Sequence, residues 1–340
     1  MQLDSRTPPH LAAQRILLWH VHGSWTTAFV QGGHEYLLPV LPEGGPWGGG
    51  RCGRDWPDRA REVPADRLRE RDVDLVVLQR PDELELATRW LGRRPGIDIP
   101  AVYLEHNTPR GDVPDTRHPV ADRPDLALVH VTAFNELMWD SGRTPTTVIE
   151  HGIPDPGYRY TGTVPASAVV INEPVRRGRV TGTDLLPRFA EVSDVDVFGI
   201  GSAELAGRFP RTEHPIYGVG DLPTEELHTE MARRRCYLHP VRWTSLGLSL
   251  IEAMQLGMPV VALATTDAVE AIPAGAGMCS TDVDRLSDAV RELLCEPALA
   301  TQLGKQAREA ALARYGLARF LADWDRLIEN VLSTWVKGER

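Results

Sequence analysis

Lysine is almost missing from this chain: of its 37 basic residues only Lys305 and Lys337 carry an ammonium, and the rest are arginines. So strong a bias follows coding preference rather than chemistry, and no site is assigned on it. Cysteine is scarce as well. Cys52, Cys236, Cys279 and Cys295 are scattered without CxxC or His-linked spacing, which excludes a disulfide scaffold and a cysteine metal site. Long apolar runs are absent. The longest uncharged one, around Pro259–Ala264, is far below the roughly 20 residues that span a bilayer, so membrane contact is at most peripheral. Positive charge is in deficit, with a net charge of -10, and the deficit is even: 18 basic against 23 acidic residues in 1–165, and 19 against 24 in the rest. Neither half is built to grip a polyanion, and no nucleic-acid partner is expected. The opening stretch MQLDSRTPPHLAAQR has no apolar h-region, so neither a signal peptide nor an anchor is expected and the protein is placed in the cytoplasm.

What is present is globular. With 340 residues, 42% of them hydrophobic and 25% charged, the chain suits two domains of ordinary size and is neither fibrous nor disordered. Short Val-, Ile- and Leu-rich runs recur at 16–22, 74–79, 101–105, 126–130 and 146–150, with helical periodicity in ADRLRERD and ELELATRWL between them. Continuous apolar strands alternating with amphipathic helices indicate parallel strands covered on both faces. The stretch 151–167, rich in Pro and Gly, reads as a linker. The pattern then restarts at 168–172, 195–201, 214–219, 236–240 and 259–264, and from Asp282 to about Leu332 it is helical, broken at Pro297 and Gly316. The expected fold is α/β, two Rossmann-like domains facing each other across a cleft, over 1–155 and 165–315, with a C-terminal helix over 316–340. The Gly-rich segment 42–53 reads as a mobile surface loop.

The most informative segment is WTSLGLSLIEAMQLGMPVVALAT, residues 243–265. Trp243, Thr244 and Ser245 end a strand and offer N-cap hydroxyls. Leu246, Leu250, Ala253 and Met254 repeat at helical spacing, Gly257 suits a left-handed C-cap, and Pro259 opens the next strand. Free N–H groups near Leu246, Gly247 and Leu248, at the positive end of the helix dipole, suit a diphosphate. Gly247 permits close backbone approach, and Glu252 is a carboxylate able to accept hydrogen bonds from a pair of vicinal hydroxyls. Spacing alone favours a plain amphipathic helix with one exposed Glu.

These residues resemble the donor-site motif of the retaining GT-B glycosyltransferases of family four (glycosyl transferases group one). There a Glu, seven residues and a second Glu frame an FGL-like turn followed by EAM, a Gly and PVV. LGLSLIEAM and LGMPVVA fit over twenty residues; the second Glu falls on Glu252 and the first on Thr244. The resemblance extends along most of the chain. HVHGSWTTAF at 20–29 matches the N-terminal glycine loop facing the donor, through Gly23 and Ser24. AVYLEHNTPRG at 101–111 matches the strand ending in a His that faces the transferred sugar, here His106. TTVIEHGIP at 146–154 resembles the segment entering the hinge, with His151 where Asn is usual. VFGIGSAEL, with Gly201, matches the second domain's glycine turn, and Val219 falls near the nucleobase. The GR…K pair whose cations meet the diphosphate aligns with Arg176 and Thr181; Arg177 is adjacent, and Arg179 is a guanidinium able to clamp a diphosphate in the lysine's stead.

The resemblance implies a retaining hexosyltransferase using a nucleotide-diphosphate sugar, with the first domain taking the acceptor, the second the donor, and the last helix crossing back to the first. His106, Thr244 and Arg176 fall at the reacting centre; Ser245, Leu246, Gly247, Leu248 and Glu252 join Gly23, Ser24, Arg176, Arg179, Gly201 and Val219 around the donor. No cofactor is expected. No metal is expected either: His20 and His22 alternate on a strand, but no Cys, Asp or Glu completes a ligand set. The leaving phosphate itself takes the acceptor's proton, so no protein nucleophile is named. A nucleotide-sugar epimerase and a non-catalytic nucleotide-binding relative are the alternatives. GIGSAE at 199–204 has Glu204 in place of a third glycine, which disfavours a dehydrogenase. The acceptor is left open among small molecules, saccharides and lipid-linked sugars, and the donor's base and sugar are open too.

Overall fold

The structure, a computed structural model, describes residues 12–209 and 211–337. The first eleven residues of the opening stretch, read above for a signal peptide, lie outside the described residues. The chain divides into two compact units: one runs to Val131 and takes in Trp139–Glu150 and the segment from Ala318 onward, and the other comprises Thr132–Met138 and His151–Leu317.

The first unit is built on seven parallel strands, β1 (Arg15–Leu18), β2 (Glu35–Val40), β3 (Ala60–Pro64), β4 (Leu75–Leu78), β5 (Ala101–Glu105), β6 (Ala127–His130) and β7 (Thr146–Val148), in the order β3-β2-β1-β4-β5-β6-β7. Central strand β4 carries apolar residues at every position because both of its faces are covered, and Leu75–Leu78 are wholly buried. Strand order reverses between β1 and β4, so the turns after these two strands open the one place where a ligand meets backbone from both directions. β2 and β3 escaped the sequence reading. β2 carries Pro39 inside it, and β3 is an edge strand whose pattern AREVP buries only Ala60 and Val63. ADRLRERD forms a six-residue 3₁₀ turn, Ala65–Glu70, rather than an α-helix. Pro64 fixes its start, and only Ala65 and Leu68 find the core, too little buried apolar surface to extend it into an amphipathic α-helix.

The Gly-rich loop is pinned rather than mobile. Gly50 N–H donates to Pro39 O, Leu41 N–H to Gly48 O, and Arg51 N–H to Glu62 Oε1 at 2.7 Å. The Arg51 guanidinium reaches the carbonyls of Arg54, Trp56 and Ala60. The closing helix, Leu317–Lys337, brings Phe320 and Trp324 against Trp25 and Phe29 of the Gly23–Phe29 helix, with Trp324 ring centroids 5.6 and 4.9 Å from the latter two. This fully buried aromatic cluster holds helix to helix inside the first unit.

The second unit repeats the plan with six parallel strands, β8 (Val164–Val170), β9 (Asp194–Phe198), β10 (Ile216–Gly220), β11 (Arg234–His239), β12 (Val260–Leu263) and β13 (Gly277–Ser280), ordered β10-β9-β8-β11-β12-β13. Its strand order reverses between β8 and β11. The linker reading of 151–167 needs correction: β8 already begins at Val164, and Ser167 is wholly buried with its hydroxyl 3.0 Å from that of Ser193. The preceding residues are also packed down. Ile153 bridges Gly316, Asp155 pairs with Arg308 at 2.7 Å, and Tyr160 Oη donates to Arg235 O at 2.7 Å. Pro and Gly density marked irregular backbone there, but burial of Ile153 and Tyr160 fixes it. The helical tail breaks where the sequence placed the breaks, giving Val283–Cys295, Pro297–Tyr315 and Leu317–Lys337.

Candidate functional site

In the second unit the candidate donor residues gather at the carboxyl ends of β8, β9 and β11. The motif helix is Leu248–Leu256, nine residues long, and its N-cap is Gly247 with φ −70° and ψ 119°. The expectation that Thr244 or Ser245 caps it is therefore wrong by two to three residues. Residues 244–247 instead precede the helix without regular structure, and a Cβ on Gly247 would fall 2.7 Å from the His239 ring. That close approach requires glycine and sets the start of the helix. No side chain caps this end. The amides that open at the N-terminus begin at Leu248 and Ser249, whereas Leu250 N–H already donates to Gly247 O at 3.0 Å. Leu246 is buried, and Ser245 is buried with its carbonyl accepting from Asp267 N–H. Tyr237 Oη lies 2.9 Å from Ser249 Oγ and so ties the first turn of the helix to β11.

Glu252 sits one turn into the helix with its side chain 15% exposed, and its Oε2 is 3.7 Å from Nε2 of His228. Gly257, at φ +88°, ends the helix in the left-handed conformation foreseen from the sequence.

The cationic residues are present but engaged. Arg176 Nε donates to Glu173 Oε1 at 2.9 Å and Nη2 to Oε2, a forked, exposed pair in the short helix Pro174–Arg177, whose N-cap Glu173 itself adopts φ +53°. The guanidinium holds the Glu173 carboxyl below its ordinary range. Arg179 Nη1 donates to Asp184 Oδ2 at 2.9 Å. Asp184 is shared with Arg242, whose Nη2 reaches Oδ2 at 2.9 Å and whose Nη1 donates to Arg179 O at 2.9 Å. Arg242, the largest cause of the lowered Asp184 pKa, escaped the sequence reading although it directly precedes Trp243. Thr181, in the aligned lysine position, is buried and turned to Gly178 O and Thr183 Oγ1.

The glycine turn after β9 is also formed. Gly199 and Gly201 have φ +117° and +74°, and a Cβ on Gly199 would meet Ile171 O at 2.6 Å. Asn172, just after β8, accepts from Ile200 N–H at 3.0 Å and so braces this turn. Val219 lies on edge strand β10, 37% exposed.

In the first unit, His106 follows β5 directly. Its Nε2 donates to Gln79 Oε1 at 2.9 Å, and the Gln79 amide is oriented by its own Nε2–H donating to Trp19 O at 2.8 Å. The imidazole of His22 packs against His106 with ring centroids 3.9 Å apart and the rings tilted by 39°, and Trp25 meets His106 edge-on at 5.5 Å. Burial lowers the pKa of His22 to about 4, with Arg80 adding to the effect against Glu105, so His22 is a neutral imidazole. The sequence reading weighed His22 only as a metal ligand; its place beside His106 depends on β1 and β5 both ending at this edge. Gln79 was missed as well, having no motif of its own. Gly23 opens the Gly23–Phe29 helix and Ser24 lies in its first turn. Behind Gln79, buried Glu83 accepts from Gln79 N–H at 2.6 Å and from Arg80 Nε at 2.7 Å. Among the described residues no three or more His, Cys, Asp or Glu side chains are grouped as metal ligands would be.

Residues 213–310, which contain Val219, the motif helix and Glu252, match the family described as glycosyl transferases group 1. Over 110 residues the chain is 33% identical to the GDP-mannose-dependent alpha-(1-6)-phosphatidylinositol monomannoside mannosyltransferase of Mycolicibacterium smegmatis, covering 29% of this chain and 28% of that enzyme's length. Among solved structures it is similar to a glycosyltransferase from Rickettsia africae, at 14% identity and TM-score 0.69 over 95% of this chain and 99% of that one. HepE of Anabaena, solved in complex with UDP, matches at 12% identity and TM-score 0.69 over 93% and 100%. The sucrose-phosphate synthase of Thermosynechococcus elongatus matches at 15% identity and TM-score 0.67 over 94% and 100%. The fold is GT-B, two Rossmann-like domains, and the match to the group 1 glycosyl transferases lies in the second of them.

Proposed function

We propose that this protein is a retaining, metal-independent glycosyltransferase that moves a hexose from a nucleotide-diphosphate sugar to an acceptor hydroxyl. The observation that carries this reading is the bare helix N-terminus after Gly247 with Glu252 one turn inside it, lying within the region matched to group 1 glycosyl transferases. The fold relatives solved with UDP and glucose, and the relative named for its use of GDP-mannose, support a nucleotide-sugar donor.

In this reading the sugar–phosphate bond breaks heterolytically, leaving positive charge on the sugar and one further negative charge developing on the diphosphate. The amides of Leu248 and Ser249 and the positive end of the helix dipole stabilise that charge, and Arg176 and Arg179 turn from Glu173 and Asp184 to add theirs. Glu252 accepts hydrogen bonds from the ribose hydroxyls, Val219 lies against the base, and Thr244 takes the place of a carboxylate at the sugar. His106 faces the sugar's outer hydroxyls, with Gly23 and Ser24 beside the donor. The acceptor oxygen bonds to the anomeric carbon on the face the diphosphate leaves, and its proton passes to a leaving phosphate oxygen.

Substituting Glu252 by Ala raises the donor KM at least tenfold, the loss expected when hydrogen bonds to a charged group are removed. Unchanged donor kinetics sink the assignment. Incubation with a panel of nucleotide sugars separates the candidates. Nucleoside diphosphate released with acceptor present is the transferase outcome, an isomerised sugar marks an epimerase, and binding without turnover marks a non-catalytic relative.

A further inference from the structure

Helix Thr224–Met231 packs beside the motif helix and turns three residues inward, Leu227 and Met231 as apolar packing and His228 between them. His228 is 6% exposed, and neither of its ring nitrogens has a hydrogen-bond partner. A buried imidazole always has a donor and an acceptor to satisfy, and a hydrocarbon at this position would fill the same space without that demand. The group nearest to relieving it is Glu252: Nε2 to Oε2 is 3.7 Å, just beyond hydrogen-bond reach. Two charged neighbours on the same helix are committed to arginines. Glu225 is bonded by Arg159, and Glu230 by Arg233 and Arg234.

We propose that His228 is the positioning residue for Glu252. Its Nε2–H closes onto Oε2 when a nucleotide docks, which locks the carboxylate rotamer and leaves Oε1 facing the two ribose hydroxyls. The inference rests on the donor-site reading above and deepens it: His228 acts on the ribose through Glu252, so its contribution exists only for nucleotides that carry both hydroxyls.

The test is titration calorimetry with UDP and GDP and with their 2′,3′-dideoxy counterparts, on the full chain and its variants. His228→Leu is expected to weaken binding of the preferred diphosphate about tenfold, the size of one hydrogen bond to a charged group, and to leave the dideoxy nucleotide unchanged. His228→Gln, whose amide N–H stands near the place of Nε2, keeps affinity within about threefold. In a Glu252→Gln background His228→Leu costs nothing further. In turnover the loss falls on donor KM and not on kcat. Equal losses for the hydroxylated and dideoxy nucleotides, additive losses in the double variant, or no loss in His228→Leu each overturn the proposal. If His228→Leu does not fold, His228→Asn, too short to reach Oε2, takes its place with the same expectations. A native chain that binds neither diphosphate overturns the donor-site reading itself, whereas native binding with an indifferent His228 overturns only this inference.

Discussion

His22, His130 and His239 are each held neutral by burial, with pKa values lowered to about 4. In His130 neither ring nitrogen has a hydrogen-bond partner, so burial is not offset. In the unfolded chain the same imidazoles take up protons near pH 6.5, whereas the folded ones resist until about pH 4. Their contribution to stability is therefore complete above about pH 6.5 and is lost as pH falls from there to 4, by up to about 3 kcal/mol for each histidine. Urea midpoints measured between pH 7 and pH 4 should fall steeply over that window. A flat profile contradicts the burial argument. A second residue-scale outcome concerns the donor cation. In the proposed donor site Arg176 is exposed and paired with Glu173, a solvent-screened surface pair that a diphosphate must displace. Glu173→Gln should tighten nucleoside diphosphate binding by about twofold to fivefold in calorimetry. Weaker binding in that variant would mean that Glu173 supports the loop rather than competing for the arginine.

At the scale of elements, the motif helix depends on the helix behind it. Gly304, inside Pro297–Tyr315, lies so close to Gly257 that a Cβ there would fall 2.0 Å from the Gly257 carbonyl oxygen. Both atoms belong to backbone, so a side chain fits only if the helices separate. Gly304→Ala should cost roughly 1–3 kcal/mol, the usual penalty of overpacking, and should weaken nucleotide binding by moving the C-terminal end of Leu248–Leu256. Gly33→Ala, where nothing stands within 4 Å of the new Cβ, is the control expected to melt like the native chain. A Gly304→Ala melting temperature equal to the control would show that the two helices are not in contact in solution.

At the scale of the molecule, a net charge of -10 is compatible with the proposed diphosphate site, because the positive potential that site needs is local: a helix terminus and the arginines Arg176, Arg179 and Arg242. Binding of a small diphosphate is therefore expected and binding of a polyanion is not. In a thermal-shift series UDP, GDP, ADP and dTDP should separate, the preferred one stabilising the chain by about 2.7 kcal/mol when present at a hundred times its Kd, while duplex DNA should produce no shift. Stabilisation by DNA equal to that by the best nucleotide would refute the local-potential argument. Among the described residues no helix is long and apolar enough to cross a membrane.

The sequence alone determined the parallel α/β plan, the tail breaks at Pro297 and Gly316, and the motif helix with Glu252, because apolar runs, helix stops and a twenty-residue motif are local signals. Edge strands such as β3 stayed illegible, since half-exposed pairing leaves little hydrophobic pattern. Only the tertiary structure decided the rest. It moved the helix start from Ser245 to Gly247, because the His239 ring sits where a Cβ would go, and it turned the supposed linker at 164–167 into a central strand. It brought together His22 with His106, Arg242 with Asp184, and His228 with Glu252, pairs separated by 84, 58 and 24 positions in the chain. Such pairs form because parallel strands end at one edge and helices cross over it. No local pattern records which distant residues that edge will collect.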